Sequence, residues 1–194
     1  MTSDLQRIHV KMLADAPPSL SLDPFLAIFG QWRNDKTHPA RWIDLADYAH
    51  MASGPVIVLA GHQGNYSLDR NHPGLGLLYA GKKDFEGSDD ARIIEAFRRC
   101  VHLTSALVAE PAYPADLKLR PGAWEIFIND RLGFPNSEET DARMGPAIRS
   151  ALDSIFGGGA YGAERDNDPG RRYGFSIRTK DSTTLDGLLA STSA

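Results

Sequence analysis

The alternation of apolar and polar positions from residue 8 onward predicts a β-strand. Ile8, Val10 and Met12 are apolar and alternate with His9 and Lys11. This two-residue period is typical of a strand that buries one face and leaves the other face polar. We therefore predict a first strand whose apolar side chains enter the core.

A helix and a group of strands are predicted next. Asp23 precedes Pro24, an order that is favoured where a helix begins. Apolar runs then cover residues 42–49, 56–69 and 75–82, and turns rich in glycine and proline separate them. Because such short connections cannot hold a parallel crossover, we predict an antiparallel meander of three strands.

The second half of the chain predicts three more helices and three more strands. The clearest helix follows Ser88, since apolar residues recur at three-and-four spacing over residues 93–108. Asn136 or Ser137 can cap the next helix, which Gly145-Pro146 is expected to kink or restart. The remaining predictions are strands at 124–128, 161–164 and 172–179 and a short last helix capped by Thr183.

The order of these elements, β-α-βββ-α-β-α-ββ-α, defines the expected fold class. Strand groups with interposed helices favour an α+β fold, in which a largely antiparallel sheet of about six to seven strands carries its helices on one face. A chain of 194 residues fits one globular domain over residues 1–194. Residues 190–194 are expected to form a frayed tail.

Composition narrows the classes of protein that the chain can belong to. An apolar content of 42% and a charged content of 24% are ordinary for a globular protein. The net charge of -4 gives no electrostatic reason to bind nucleic acid. The only cysteine is Cys100, which excludes an intrachain disulfide and a four-thiolate zinc site. Because no apolar run approaches the roughly 18 residues of a membrane span, we expect a cytoplasmic protein without a membrane partner.

The stretch most typical of a functional site runs from Gly61 to Asp69, where polar side chains stand in a predicted central strand. Gly61 and Gly64 bracket His62, and a glycine inside a strand marks a bulge or a close approach by another group. The backbone at His62 is therefore a candidate for a shaped binding site. The alternative interpretation is that His62 is a hydrogen-bonded strand histidine and that the glycines only bend the sheet.

Strand register predicts which residues flank His62. If the meander turns centre near residues 52–53 and 71–72, His62 lies opposite Asp44 on one side and beside Lys82 on the other. A carboxylate raises the pKa of a neighbouring imidazole and an ammonium lowers it. We therefore predict Asp44, His62 and Lys82 as the catalytic group of an acid-base or anion site.

Further ligand-binding residues are predicted beside this group: Gly61, Gly64, Asn65 and Tyr66 on the same strand, and Asn129, Asp130 and Arg131 at the end of a later one. A shared metal site of His50, His62 and His72 is not expected, because strand rise separates them by roughly 20 Å or more. The glycine run at 157–162 follows a predicted helix instead of a strand, which does not fit a dinucleotide loop. We expect neither a metal nor another cofactor.

Two functions remain open at this point. No complete arrangement of nucleophile, base and orienting group can be found in the sequence, which favours a noncatalytic interaction domain. Its partner is unknown, and self-association into a homo-oligomer through a sheet edge or a helix face is one possibility. The alternative is a small-ligand-binding protein or enzyme with an acid-base or anion pocket around Asp44, His62 and Lys82.

Overall fold

The computed structural model describes residues 5–179 and 183–192. Helices and strands follow one another in this order: β1 (Ile8–Asp15), α1 (Asp23–Asn34), β2 (Trp42–Asp47), β3 (Pro55–Gly61), β4 (Gly64–Asp69), β5 (Gly76–Gly81), α2 (Asp89–Val108), β6 (Lys118–Ile128), α3 (Glu138–Phe156), β7 (Tyr161–Arg165), β8 (Gly174–Thr179) and α4 (Leu185–Thr192).

The strands of the described chain form one antiparallel sheet of eight strands in the order β2-β3-β4-β5-β1-β6-β8-β7. With four helices packed against it, the α+β class is confirmed. The strand number is higher than predicted because the run at 56–69 is two strands. Gly61 and Gly64 end β3 and begin β4, and His62 and Gln63 form the turn between them.

The helices cover one face of this sheet, which holds the apolar core. Ile8, Val10 and Met12 of β1 are almost completely buried on that face, as the alternation predicts. Helix α2 packs on β1 and β5, while α1 packs on β2 and β3. Cys100 of α2 is buried in this core. No helix of the described residues is long and apolar enough to cross a membrane.

The opposite face, called the open face below, carries none of the described helices but is not simply solvated. Cross-strand register places Asp44, Ala60, Asn65, Ala80, His9, Phe127 and Gly174 in one row across it. A second row contains Ser67, Leu78, Lys11, Glu125 and Ser176. Lys11 and Ser67 are buried there. The open face therefore contains buried polar groups, the usual setting of a binding site.

Several predicted boundaries need correction. Strand β6 begins at Lys118, six residues before the predicted start at residue 124. Ser137 caps α3 by accepting from the Thr140 amide, and the helix continues through Pro146 without a restart. Helix α4 includes residues 190–192, which were predicted to fray, and Thr184 replaces Thr183 as the residue whose hydroxyl accepts from the first turn. Residues 193–194 of the predicted tail lie outside the described residues.

Candidate functional site

His62 occupies a tight turn at one end of the open face instead of the middle of a strand. Its side chain is exposed, and the flanking glycines are required by close packing. A Cβ on Gly61 would lie 2.8 Å from the Gly64 carbonyl oxygen and 2.9 Å from the Trp42 ring. A Cβ on Gly64 would lie 2.7 Å from the Tyr79 ring. The predicted bulge is therefore a hairpin turn, and the glycines allow the turn to pack against aromatic rings.

Of the predicted trio, the structure brings Lys82 to His62 but leaves Asp44 apart. The Lys82 Nζ donates to the Gly61 carbonyl at 2.8 Å, and the Lys82 backbone N–H donates to Gln63 at 2.9 Å. Asp44 pairs with Ala60 on the edge strand β2, and its exposed carboxylate accepts from the Leu45 amide. The predicted pairing of Asp44 with His62 is wrong: Asp44 pairs with Ala60, Trp42 pairs with Gly61 across a register shift, and His62 lies beyond the end of β3.

His62 and Lys82 line a cavity of about 570 Å³ on the open face. We call it the histidine pocket; it is lined by Arg7, His9, His62, Asn65, Ala80, Gly81, Lys82, Lys83 and Asn129. In the first cross-strand row, Ala80 stands between His9 and Asn65. Since adjacent strands lie about 4.8 Å apart, the two polar side chains are about 10 Å apart with only a methyl group between them. The small side chain leaves room between His9 and Asn65.

His9 forms one side of the pocket and carries a buried nitrogen without a partner. Its Nδ1 contacts no hydrogen-bonding group among the described residues. The ring packs on Phe127, with centroids 4.9 Å apart. Burial, and then the positive charge of Arg172, lower the pKa of His9 from 6.5 to about 3. The imidazole is therefore neutral near pH 7, with one ring nitrogen as a hydrogen-bond donor and the other as an acceptor.

Asn65 forms the other side, and its amide oxygen is also buried without a hydrogen bond to the described residues. A buried polar atom that lacks a partner costs roughly 1 to 3 kcal/mol. His9 and Asn65 both line the histidine pocket, so the side chains of one cavity carry two atoms with this cost. A ligand that hydrogen bonds to both would remove this cost.

The mouth of the histidine pocket is cationic. Arg7, Lys82 and Lys83 line it, and none of the described lining residues is acidic. Arg7 adopts a left-handed backbone with φ of 53°, a conformation that costs a residue other than glycine about 1 kcal/mol or more. Its carbonyl accepts from the Asn129 amide at 2.9 Å, which ties the segment before β1 to the end of β6.

The other predicted ligand residues are distributed over the molecule. Asn65 and Asn129 line the histidine pocket. Tyr66 is buried on the helix face, where its hydroxyl hydrogen bonds to Thr104 at 2.9 Å. Asp130 accepts from the amides of a turn that follows β6. Arg131 lines a different cavity of the open face, together with Glu125 and Arg172.

His9 is the important residue that the sequence interpretation missed, although a signal for it was present. The alternation around Val10 placed His9 on the polar side of β1. Because β1 lies in the centre of the sheet, between β5 and β6, its polar side is largely enclosed. The pattern identifies the face of a strand but not its place in the sheet.

Comparison of the chain with protein-family models, with curated proteins and with solved structures gives no match in any of the three.

Proposed function

We propose that the protein binds a small polar anion in the histidine pocket. The observation that carries the proposal is that the two residues with buried, unpartnered atoms, His9 (Nδ1) and Asn65 (Oδ1), both line one cavity. Buried polar groups in folded proteins nearly always have partners, so two such atoms on side chains of one cavity support a ligand there as their partner. The pocket volume of about 570 Å³ is within the range of small-molecule sites.

The charge around the pocket indicates the kind of ligand. Arg7, Lys82 and Lys83 offer cationic groups at the mouth, while His9 is neutral and Asn65 is uncharged. A matching ligand has an anionic group at one end and hydroxyl or amide groups at the other, as sugar phosphates do. The strained backbone of Arg7 also supports a site here, because such strain is concentrated at ligand-binding positions.

A titration tests this proposal directly. The protein, labelled with ¹⁵N, is titrated with ribose 5-phosphate, and the signals of the Asn65 side-chain amide and the His9 ring are followed. We expect both signals to shift and to saturate. Ribose alone and inorganic phosphate alone are expected to bind more weakly, because each lacks one half of the interaction.

Variants connect the binding to the pocket. Asn65→Ala and Lys82→Gln are expected to weaken binding at least about fivefold, the loss of one hydrogen bond or one exposed charge contact. Asn34→Ala and Lys36→Gln change exposed residues at the end of α1 and serve as matched controls. No saturable shift with any probe, or equal affinity in Asn65→Ala, would exclude the site.

A second candidate function is self-association through strand β2, in keeping with an interaction domain. The observation that favours it is a group of exposed apolar side chains along an edge of the sheet. Ile43 lies on β2, and Tyr48 and Met51 follow it; these side chains are 49%, 42% and 50% exposed. An edge strand with apolar side chains can pair with another copy of itself.

Sedimentation velocity over a range of concentrations tests the second candidate. A dimer that Ile43→Lys dissociates would support it, whereas a concentration-independent monomer would exclude it. Leu132→Lys is the matched control, since Leu132 is 98% exposed and lies in the loop after β6.

A further inference from the structure

A second cavity of the open face contains charged side chains that do not satisfy one another. It has a volume of about 180 Å³ and is more enclosed than the histidine pocket. We call it the arginine pocket; the residues used below are Asp69, Glu125, Arg131, Asp166, Arg171 and Arg172. Phe127 lines it too and packs at a tilt of 53° against His9, which lines the histidine pocket.

Two of the carboxylates in the arginine pocket are already paired. Asp69 accepts from Lys11 Nζ at 2.6 Å and from the amide of Asn71. Asp166 accepts from Arg171 at 2.8 Å. These two ion pairs form part of the wall and leave their charges neutralised. The remaining charged groups are therefore those available to a ligand.

Arg172 and Glu125 are the half-buried groups without such pairing. The half-buried guanidinium of Arg172 lies over the Phe127 ring, with Cζ 4.7 Å from the ring centroid. Neither a hydrogen bond nor an ion pair joins Arg172 to another described residue. Glu125 lies opposite Lys11 and Ser176 in the sheet, and its carboxyl also lacks a hydrogen bond to the described residues. Both groups face one cavity and lack partners that a single ligand could supply.

We propose that the arginine pocket is a proton-linked site for a small oxyanion, bound by Arg172 and accepting a hydrogen bond from the protonated carboxyl of Glu125. A guanidinium fork fits the two oxygens of a carboxylate or a phosphate, and stacking on Phe127 holds its plane in position. Arg131, exposed at the edge of the cavity, adds positive charge. The site is separate from the histidine pocket and does not depend on the function proposed for that pocket.

The state of Glu125 agrees with this role. The pKa of Glu125 is raised from 4.5 to about 7; burial is the largest cause and Asp69 adds to the rise, while Lys11, Arg171 and Arg172 oppose it. The carboxyl is therefore a hydrogen-bond donor below pH 7 and a negative charge above it. An oxyanion beside it favours the protonated form, so binding and proton uptake are coupled.

The coupling has a defined sign. As the pH rises through about 7, Glu125 loses its proton and repels the bound anion. Affinity is expected to fall by up to about tenfold for each pH unit above that point. His72, in the loop between β4 and β5, also lines the cavity, and its contribution must be separated by a variant.

The experiment uses acetate and sulfate as probes, because neither changes its charge between about pH 6 and 8.5. Dissociation constants come from NMR shifts of the Arg172 side chain and of the Phe127 backbone amide. Saturable binding that weakens with rising pH supports the proposal, and the stronger probe identifies a carboxylate or a tetrahedral oxyanion as the preferred class. Binding that does not change with pH, or no saturable shift with both probes, overturns it.

Variants identify the residue that carries the linked proton and the residue that supplies the positive charge. Glu125→Gln keeps a hydrogen-bond donor, so we expect the affinity of wild type at low pH to persist at every pH. Arg172→Gln is expected to lose binding at every pH, while the control Arg178→Gln, on β8 outside the cavity, keeps it. His72→Gln is expected to retain the pH dependence of probe binding. Asn65→Ala, in the histidine pocket, is expected to retain the wild-type affinity of the arginine pocket for the probes. A pH dependence that survives Glu125→Gln or disappears in His72→Gln contradicts the proposal.

Discussion

Lys11 and Asp69 form an ion pair across the open face, with Nζ 2.6 Å from Oδ1 and side chains only 1% and 2% exposed. The two residues lie on β1 and β4, which β5 separates. Gly76 of β5 makes the contact possible, since a Cβ there would lie 3.0 Å from Lys11 Cε. The Asn71 carbonyl accepts a second hydrogen bond from the ammonium at 2.8 Å. A buried charge is thus fully paired in the wall of the arginine pocket.

Breaking this pair from one side is expected to be costly. Asp69→Asn leaves the Lys11 ammonium buried without a counter-charge, so we expect the free energy of unfolding to fall by about 3 to 5 kcal/mol. Urea denaturation measures this change in the free energy of unfolding. Asp15→Asn is the matched control, because Asp15 is 70% exposed and lies 3.7 Å from Arg120; its expected loss is below about 1 kcal/mol. Similar losses in the two variants would mean that the buried pair contributes no more than a surface one.

Glu125 is expected to reduce stability as the pH rises. Its folded pKa of about 7 lies above the ordinary value of 4.5. Between these values the folded state binds more protons than the unfolded state, so stability falls as pH increases and then levels off above about pH 7. Glu125→Gln should remove this slope and raise stability at pH 8 by on the order of 1 to 3 kcal/mol. Glu164→Gln, exposed on β7 in the same cross-strand row, should leave the slope unchanged.

His9 is expected to reduce stability as the pH falls, the opposite of the effect of Glu125. Its folded pKa of about 3 lies below the ordinary value of 6.5, so the unfolded state binds the additional proton between these values. The contribution of neutral His9 to stability is therefore fully present above about pH 6.5 and is lost as the pH falls towards 3. Between pH 7 and 4 the free energy of unfolding should fall by about 2 to 3 kcal/mol less in His9→Gln than in the wild type, as measured by denaturation at each pH. His50→Gln, which changes an exposed histidine, is the control; a His9 ring that titrates between pH 5 and 8 would contradict the expectation.

The sequence predicted the class of fold and most of its elements because one face of the sheet follows the strand period closely. Ile8, Val10 and Met12 enter the core, and α2 keeps helical spacing from Ile93 to Leu107. The error at residues 56–69 has a physical reason. Gly61 and Gly64 permit either a bulge or a turn, and packing against Trp42 and Tyr79, which are distant in sequence, decides between them.

The candidate site was less accessible to sequence reasoning because it depends on the order of the strands. Two crossover connections place β1 between β5 and β6, which converts its polar face into the centre of an enclosed surface. Lys11 is therefore buried and His9 half-buried, although both alternate with core residues as solvated side chains do. Local pattern carries no information on such long-range pairing. Lys82 could be placed beside His62 because the two are neighbours through one hairpin.

The turn that contains His62 makes a final prediction about packing. A Cβ on Gly64 would lie 2.7 Å from three atoms of the Tyr79 side chain, whose hydroxyl accepts from Arg99 at 3.0 Å. Since Tyr79 is only 3% exposed and held by that hydrogen bond, the ring cannot move without disturbing α2. Gly64→Ala should therefore lower the free energy of unfolding by about 1 to 3 kcal/mol, the usual cost of overpacking, as measured by urea denaturation.

Gly162→Ala provides the matched control for Gly64→Ala. Gly162 also lies in a strand, β7, but a Cβ there would meet no atom within 4 Å. Replacing a strand glycine in open space reduces the freedom of the unfolded chain, so this variant is expected to be neutral or slightly stabilising. If Gly64→Ala behaves in the same way, the turn can shift away from Tyr79. The close packing of the turn would then not be what holds His62 and Lys82 at the histidine pocket.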